Sequence, residues 1–342
     1  MKKFLVLASI ALFVSAQAQP KKTAPAKSLV VGFWNVENLY DTINDPAIDD
    51  EEFLPQAASK WNAERYAKKI HNTAFALSKM GIDENTDGAA ILGLAEIENK
   101  KVLEDLVQDP QLKARKYQIV QYNSPDMRGI DVALLYNPKY FKLLSSSVHT
   151  VKLPGDSARP TRDELLVNGI LNGQPVHVLV CHWPSRRGGE KESAANRNAA
   201  ATVARRIIDS LRKSEKSAKI FVMGDLNDDP TDESVKKIVA TTDDAAQVST
   251  ALMYNPMEKM HAGGKGTLSY KNKWNLFDQI LISEGLVKKD GSKYSYADVR
   301  INNIPETEET EEKYKGQPLR TYVGKKYLGG YSDHFGVYLI LK

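Results

Sequence analysis

The chain has 342 residues, 42% of them hydrophobic and 26% charged, and a formal net charge of +4 that falls to +2 without Lys2 and Lys3. A balance this even excludes a chain-wide basic surface, so any positive patch is local. Its only cysteine, Cys181, excludes an internal disulfide, so stability rests on a core that this length allows, in one domain or two.

Lys2 and Lys3 precede an apolar run, Phe4 to Val14, and then Ala16-Gln17-Ala18, the pattern of a cleaved signal peptide over residues 1–18. The run falls short of the roughly 20 residues that a membrane span needs, and no later stretch supplies one. No cysteine near it marks lipid attachment. The expectation is a soluble, exported protein, periplasmic or secreted, starting near Gln19, with residues 19–28 as a flexible lead-in.

Ser28 to Trp34 reads as an apolar strand running into Asn35, Glu37 and Asn38. Residues 41–52 are acidic but lack the spacing, glycine and final glutamate of a calcium loop, and read as solvated. Ala67, Ile70, Ala74 and Leu77 recur at helical spacing between the N-cap Asn62 and the stop Gly81. His71 on that helix reads as a surface or packing residue. Ala89 to Leu94 is the next strand and leads to Glu96 and Glu98, which strand spacing puts on one side. Buried glutamates need a partner or a cation. A helix, Val102 to Val107, follows. Tyr117 to Tyr122 and Ile130 to Tyr136 read as strands around a loop holding Arg128. Asp131 is expected to pair with Arg128 or another cation, and phosphate contact is the other reading of Arg128. After β-type alternation from Tyr140 to Lys152, a charged turn over residues 159–163 precedes the strand Glu164 to Leu171. Gly173 then turns the chain into Val176 to Val180.

That strand ends in Cys181 and His182, before a loop with Arg186, Arg187, Gly188 and Gly189. Guanidinium groups and flexible backbone suit phosphate oxygens. Cys181 reads as a small buried hydrophobe, since nothing near it in sequence lowers its pKa. The helix Ala194 to Arg212 places Ala195, Ala199, Val203, Ile207 and Leu211 on one face. Ile220 to Met223 is a buried strand that Gly224 breaks, delivering Asp225. Extended chain there puts Asn227 beside Asp225 and turns Asp228 and Asp229 outward. A polar turn and a rigidly held carboxylate that positions water or metal are both open readings. A short helix spans Glu233 to Val239, and Gly263 to Thr267 lacks the spacing of a phosphate loop. Leu276 to Ser283 is a strand with Asp278 inside it, where a buried carboxylate needs a partner and histidine fits. Residues 304–316 read as a solvated excursion, and Asp333-His334 precede a last strand, Phe335 to Leu341.

Taken together, strand ends carrying Asn35 and Glu37, Glu96, Asp225 and Asn227, and Asp333 and His334, with His182 and Asp278 beside them, resemble the endonuclease/exonuclease/phosphatase superfamily. The likeness runs from Val31 to Leu341. It implies one catalytic domain over residues 29–342 with an α/β fold, a four-layer α/β sandwich of two mixed β-sheets packed face to face with helices outside. For the residues, the resemblance implies Glu96 as metal ligand, with Asn35, Glu37 and Asp333 in or near the metal shell. It makes Asp225 the residue that positions or deprotonates water, Asn227 its partner, and His334 and Asp278 a pair. His182 and Arg162 correspond to phosphate contacts, and Arg128, Arg186 and Arg187 are further candidates for that role. The implied cofactor is Mg2+, with Mn2+ or Ca2+ as substitutes, because a few oxygen ligands leave room for waters and substrate. Cys181 departs from the asparagine of many relatives, and the substrate-contacting tyrosine of the nucleases has only Tyr122 as a loose counterpart. The resulting expectation is an exported phosphoesterase that hydrolyses phosphodiesters of DNA or RNA by metal-assisted attack of water. It is expected to be a monomer with no obligate protein partner. The rivals are a phospholipid-headgroup or inositol-phosphate phosphatase, and a non-catalytic binding protein on the same scaffold.

Overall fold

The computed structural model describes residues 28–155, 161–288 and 293–342. The leader, residues 19–27 of the lead-in, and Arg159 and Pro160 of the charged turn lie outside them. In chain order the first strands are β1 (Leu29–Leu39), β2 (Ile91–Ile97), β3 (Gln118–Gln121), β4 (Asp131–Tyr136), β5 (Phe141–His149), β6 (Glu164–Leu171), β7 (Gln174–His182) and β8 (Ile220–Asp225). Then follow β9 (Thr241–Thr242), β10 (Met253–Tyr254), the hairpin β11 (Leu268–Tyr270) and β12 (Lys273–Asn275), β13 (Asp278–Ile282) and β14 (Tyr296–Asn302). A small ribbon, β15 (Tyr322–Val323) and β16 (Lys326–Tyr327), precedes β17 (Gly336–Leu341).

Two mixed sheets result, in the orders β14-β17-β1-β2-β4-β3 and β5-β6-β7-β8-β13-β10-β9. The alternation along each strand stacks the layers. Leu29, Val31 and Phe33 of β1 join Val176, Val178 and Val180 of β7 and Phe221 and Met223 of β8 in one apolar cluster between the sheets. The other face of β1, Val30, Trp34 and Val36, packs under helices α1 (Ala63–Lys79) and α2 (Lys100–Gln108). Ile220 and Val222 turn the opposite way, under helix α3 (Glu190–Ser214). This is the four-layer α/β sandwich. Burying each large side chain of the middle cluster is worth about 1.5–3 kcal/mol, and that layer fixes how the two sheets face each other.

Several local expectations need correction. Gly224 does not break β8: it pairs within the strand, and a Cβ there would come 2.3 Å from the Cys181 carbonyl oxygen, so its role is close approach to β7. The buried side of α3 runs through Arg197, Ala200, Ala204, Ile208 and Arg212, and Ala195 is exposed. Two arginines that look like surface residues are drawn inward by partners elsewhere, which rotates the face. The expected helix after Asp232 is a π-helical segment, Ser234–Ala240. Among the described residues, no helix is long and apolar enough to cross a membrane.

Candidate active site

The cluster forms where the inter-sheet alternation runs out of apolar residues. Val176, Val178 and Val180 are followed on the same face by His182, Phe221 and Met223 by Asp225, and Ile282 and Ile280 by Asp278. Asp225 is the register partner of both His182 and Asp278, so three adjacent strands hold the three side chains in a row. From the facing sheet, the face of Leu29, Val31 and Phe33 ends in Asn35. Its Nδ2 donates across the gap to Asp225 Oδ2 at 3.0 Å and to Glu96 Oε1 at 3.2 Å.

His334 completes the group from the loop before β17. Its Nδ1 lies 2.6 Å from Asp278 Oδ2, and its Nε2 lies 3.9 Å from Asp225 Oδ2 and 4.0 Å from Asp333 Oδ1. Ser332, which the sequence reading passed over, ties this loop to β1: its Oγ donates to the Asn35 carbonyl at 2.6 Å and accepts from His334 N. The signal for it was only its place in the Ser-Asp-His run. His182 Nε2 lies 3.7 Å from Asp225 Oδ2 and 4.0 Å from Glu96 Oε1, while its Nδ1 has no partner among the described residues.

The two histidines are driven apart. Burial works against charge on both, but Asp278 and Asp225 outweigh it at His334 and hold that imidazole well above its ordinary pKa. At His182 burial, then Arg162, Arg128 and His334, act together and hold it well below. Near neutral pH the site therefore has one imidazolium and one neutral imidazole. Burial pushes Asp225 up to about 6, against the pull of His334.

Near the strand ends, positive backbone angles redirect the chain. Glu96, with φ of 64°, sits at the irregularity between Ala95 and Ile97 and accepts from Asn35 and from Asn38 N at 2.8 Å. Glu98 does not share its side: it is buried against Asp41 N at 2.6 Å, and burial pushes it up to about 7. Glu37, with φ of 53°, sends its carboxylate to Thr321 N at 2.6 Å, with the buried Lys69 ammonium 3.8 Å away. Burial and then Asp333 push Glu37 up to about 7. Lys69 was not singled out in the sequence, where it is one of several lysines on an amphipathic helix.

Asn227, with φ of 51°, does not lie alongside Asp225 as extended chain would put it. Its N donates to Asp225 Oδ1 at 3.0 Å and its Nδ2 to the Trp183 carbonyl. Asp228 and Asp229 turn inward instead of outward. Asp228 meets Arg197 at 2.6 Å and Ser234 Oγ at 2.6 Å, and Asp229 accepts from Leu276 N at 2.7 Å.

The arginines divide. Arg186 is a correction to the expected phosphate set: it donates to the Asn227 carbonyl, Glu190, Asp228 and Asp232, and its guanidinium stacks 4.5 Å over Phe277. Arg162 is buried and holds the His182 and Trp183 carbonyls at 3.2 and 2.7 Å, with Asp126 at 3.1 Å. Asp126 was missed in sequence because it reads as a turn former after Pro125. Among the described residues Asp131 pairs with no arginine, accepting instead from Gln121 and from Ser124 N at 2.7 Å. Arg128, with a side chain 46% exposed, and the exposed Arg187 line one 360 Å³ cavity with Arg162.

For a metal, Asp225, Asp278 and His334 offer ligand atoms within 4.8 Å of one another. That triad is closed, and the His334–Asp278 bond already uses two of its atoms. Glu96 and Asp333, with side chains 14% and 30% exposed, are the more open carboxylates. Asn35 meets Glu96 through its Nδ2 and turns its Oδ1 to Glu37 N at 3.0 Å, and a few oxygens of this kind suit a hard dication that retains several waters.

The sequence pattern of the Endonuclease/Exonuclease/phosphatase family matches residues 30–342. No curated protein matches the chain. Among solved structures it is similar to D. rerio TDP2 complexed with single strand DNA product, at 15% identity and a TM-score of 0.54, covering 93% of this chain and 100% of that one. It is also similar to an endonuclease/exonuclease/phosphatase family protein from Bacteroides thetaiotaomicron, at 16% identity and a TM-score of 0.56, covering 92% and 97%. The human Nocturnin catalytic domain with bound sulfate anion gives 15% and 0.53, covering 92% and 94%.

Proposed function

This chain belongs to the Endonuclease/Exonuclease/phosphatase family and is a metal-dependent hydrolase of phosphate esters; within that class we propose that it is an exported, Mg2+-dependent nuclease. The observation that carries the chemistry is Asp225, buried between two strand partners and facing His182 at 3.7 Å and His334 at 3.9 Å. The leader from Lys2 to Ala18 supports export.

Glu96, with Asn35 and Asp333, would hold the ion. When bound it supplies Lewis-acid polarisation of a phosphoryl oxygen. Asp225 accepts from Asn35 on one oxygen and from Asn227 N on the other, which fixes the carboxylate while leaving lone pairs for a water proton. A pKa raised to about 6 makes it a better base than an ordinary aspartate near neutral pH. As the water oxygen bonds to phosphorus and the ester P–O bond breaks, charge grows on the phosphoryl oxygens. The His334 imidazolium, oriented by Asp278, offsets that charge. His182, neutral and held through its carbonyl by Arg162, orients without adding charge.

The test is turnover of a DNA oligonucleotide, a small phosphodiester and a phosphomonoester, each with and without Mg2+, by wild type and Asp225→Asn. Metal-dependent diester cleavage that Asp225→Asn loses is the expected result, and full activity in that variant would sink the mechanism. A second reading, hydrolysis of lipid-headgroup or inositol phosphates, draws on a 180 Å³ cavity beside Glu37 and Asn38 lined by Phe53, Trp61 and Tyr322. It predicts that such esters outrun DNA in the same assay.

A further inference from the structure

Asp333 reaches His334 with one oxygen and Arg320, 3.5 Å away, with the other. Beyond this pair lies a 380 Å³ groove that no step above uses, at the lower end of the size range of ligand pockets. Tyr270 stands in its wall 65% exposed, although large aromatic side chains are seldom left so open. Lys271 lies 5.2 Å over its ring, and Lys313 lies 4.9 Å over Tyr314, which lines the same groove. The ring is not on a loose loop. Lys271 and Asn272, both with positive φ, close a tight turn between β11 and β12. Trp274 of β12 stacks on Phe335, the residue after His334, with ring centroids 6.2 Å apart. Thr267, at the root of the hairpin, accepts from Phe335 N at 2.7 Å. The tyrosine is therefore held out from the same backbone that carries the imidazolium.

We propose that this groove is a stacking subsite for an unpaired nucleobase attached to the phosphate under attack, with Tyr270 and Tyr314 as its faces. The inference rests on the nucleic-acid reading. Aromatic faces bind any base, and Lys271, Lys326 and Arg320 beside them suit the neighbouring phosphate. Glu309 and Glu311 share the lining, which limits the subsite to a short stretch of strand and not a long polyanion track. A base held in a duplex has no free face to offer, so the substrate is single-stranded, or frayed, on this side of the scissile bond.

The experiment compares wild type, Tyr270→Ala/Tyr314→Ala and Tyr270→Phe/Tyr314→Phe on two oligonucleotides, one with a base and one with an abasic residue beside the scissile phosphate. Stacking of the size found on aromatic platforms predicts a KM raised roughly 5- to 150-fold for the alanine variant on the first substrate, with kcat unchanged. The abasic substrate should show no difference, and the phenylalanine variant should behave as wild type. An unchanged KM, or an equal loss on both substrates, overturns the subsite alone. A wild type that cleaves methyl p-nitrophenyl phosphate or glycerophosphocholine but no oligonucleotide overturns the nucleic-acid reading and the subsite with it.

Discussion

Two groups of carboxylates meet at Asn227, and the fold treats them in opposite ways. At the strand ends beside it, Asp225 and Asp278 meet histidines and an asparagine but, among the described residues, no Arg or Lys ion pair, and Glu96 and Asp333 stay partly open. After it, Asp228, Asp229 and Asp232 are matched to Arg186, Arg197 and His261. The Arg197–Asp228 contact, at 2.6 Å, is an ion pair and not an aligned hydrogen bond. The difference separates charge kept in reserve for a ligand from charge neutralised to hold a loop. Arg186 joins the two groups, since it grips the carbonyl of the residue whose N–H orients Asp225.

The largest expected effect breaks the front group. Asp225→Asn should lower turnover by about 10² to 10⁴, the range of a lost general base, while the melting temperature holds or rises because a buried charge is gone. Turnover that survives with the fold intact would erase the distinction between the groups. The rear group should answer in stability. Arg197→Met leaves Asp228 with less countercharge, and removing one partner of a buried pair costs about 3–5 kcal/mol in urea unfolding. The residual folded fraction should keep its KM.

A third carboxylate sharpens the contrast. Glu164 accepts from Trp183 Nε1 at 2.9 Å, its other oxygen has no partner among the described residues, and burial pushes it up to about 8. It is silenced by a proton, where the rear group uses arginines. Between about pH 4.5 and 8 the unfolded chain has lost that proton and the folded chain keeps it. Stability should therefore fall as pH rises through this window, by up to about 1.4 kcal/mol per pH unit. Glu164→Gln should shallow that slope, most clearly between pH 7 and 8, above the values of about 7 reached by Glu37 and Glu98, as melting at pH 5, 7 and 8 would measure; an unchanged slope would place the proton elsewhere. The smallest effect is at Cys181, fully buried, its thiol pushed up by burial and then by Glu164. Native protein treated with a thiol-alkylating reagent should keep its turnover, and its loss with the fold intact would demand a thiol step.

What the sequence made legible follows from backbone geometry. β6 has the expected bounds, and His182, Asp225 and Asp278 lie where strand periodicity carries them. His334 met Asp278 because a carboxylate inside an apolar run has few other partners. Legibility fails where the backbone takes positive φ, inside the ends of β1 and β2 and just past β8. Glu37, Glu96 and Asn227 all have positive φ, so counting by twos misplaces Glu98, Asn227, Asp228 and Asp229. It fails again for long cations. Arg186 reads as a phosphate contact and Arg197 as solvated surface in the sequence, and only the inward turn of Asp228 reveals why they are neither. Asp131 shows the converse, a buried acid satisfied by an amide and a backbone N–H where a cation had been expected.

β1 and β17, the first and last strands, lie side by side in the middle of a sheet, with Leu29 opposite Leu341 and Phe33 opposite Val337. Asn35 stands at the end of one and His334 at the entrance to the other. Asn35 leaves the ribosome long before His334 does, and the sheet cannot close around them until β17 arrives. The closing contact spans almost the whole length of the fold, the kind of pairing that forms late. The site is thus assembled only when β17 has paired with β1, and a hydrolase of phosphate esters stays silent until that pairing is made.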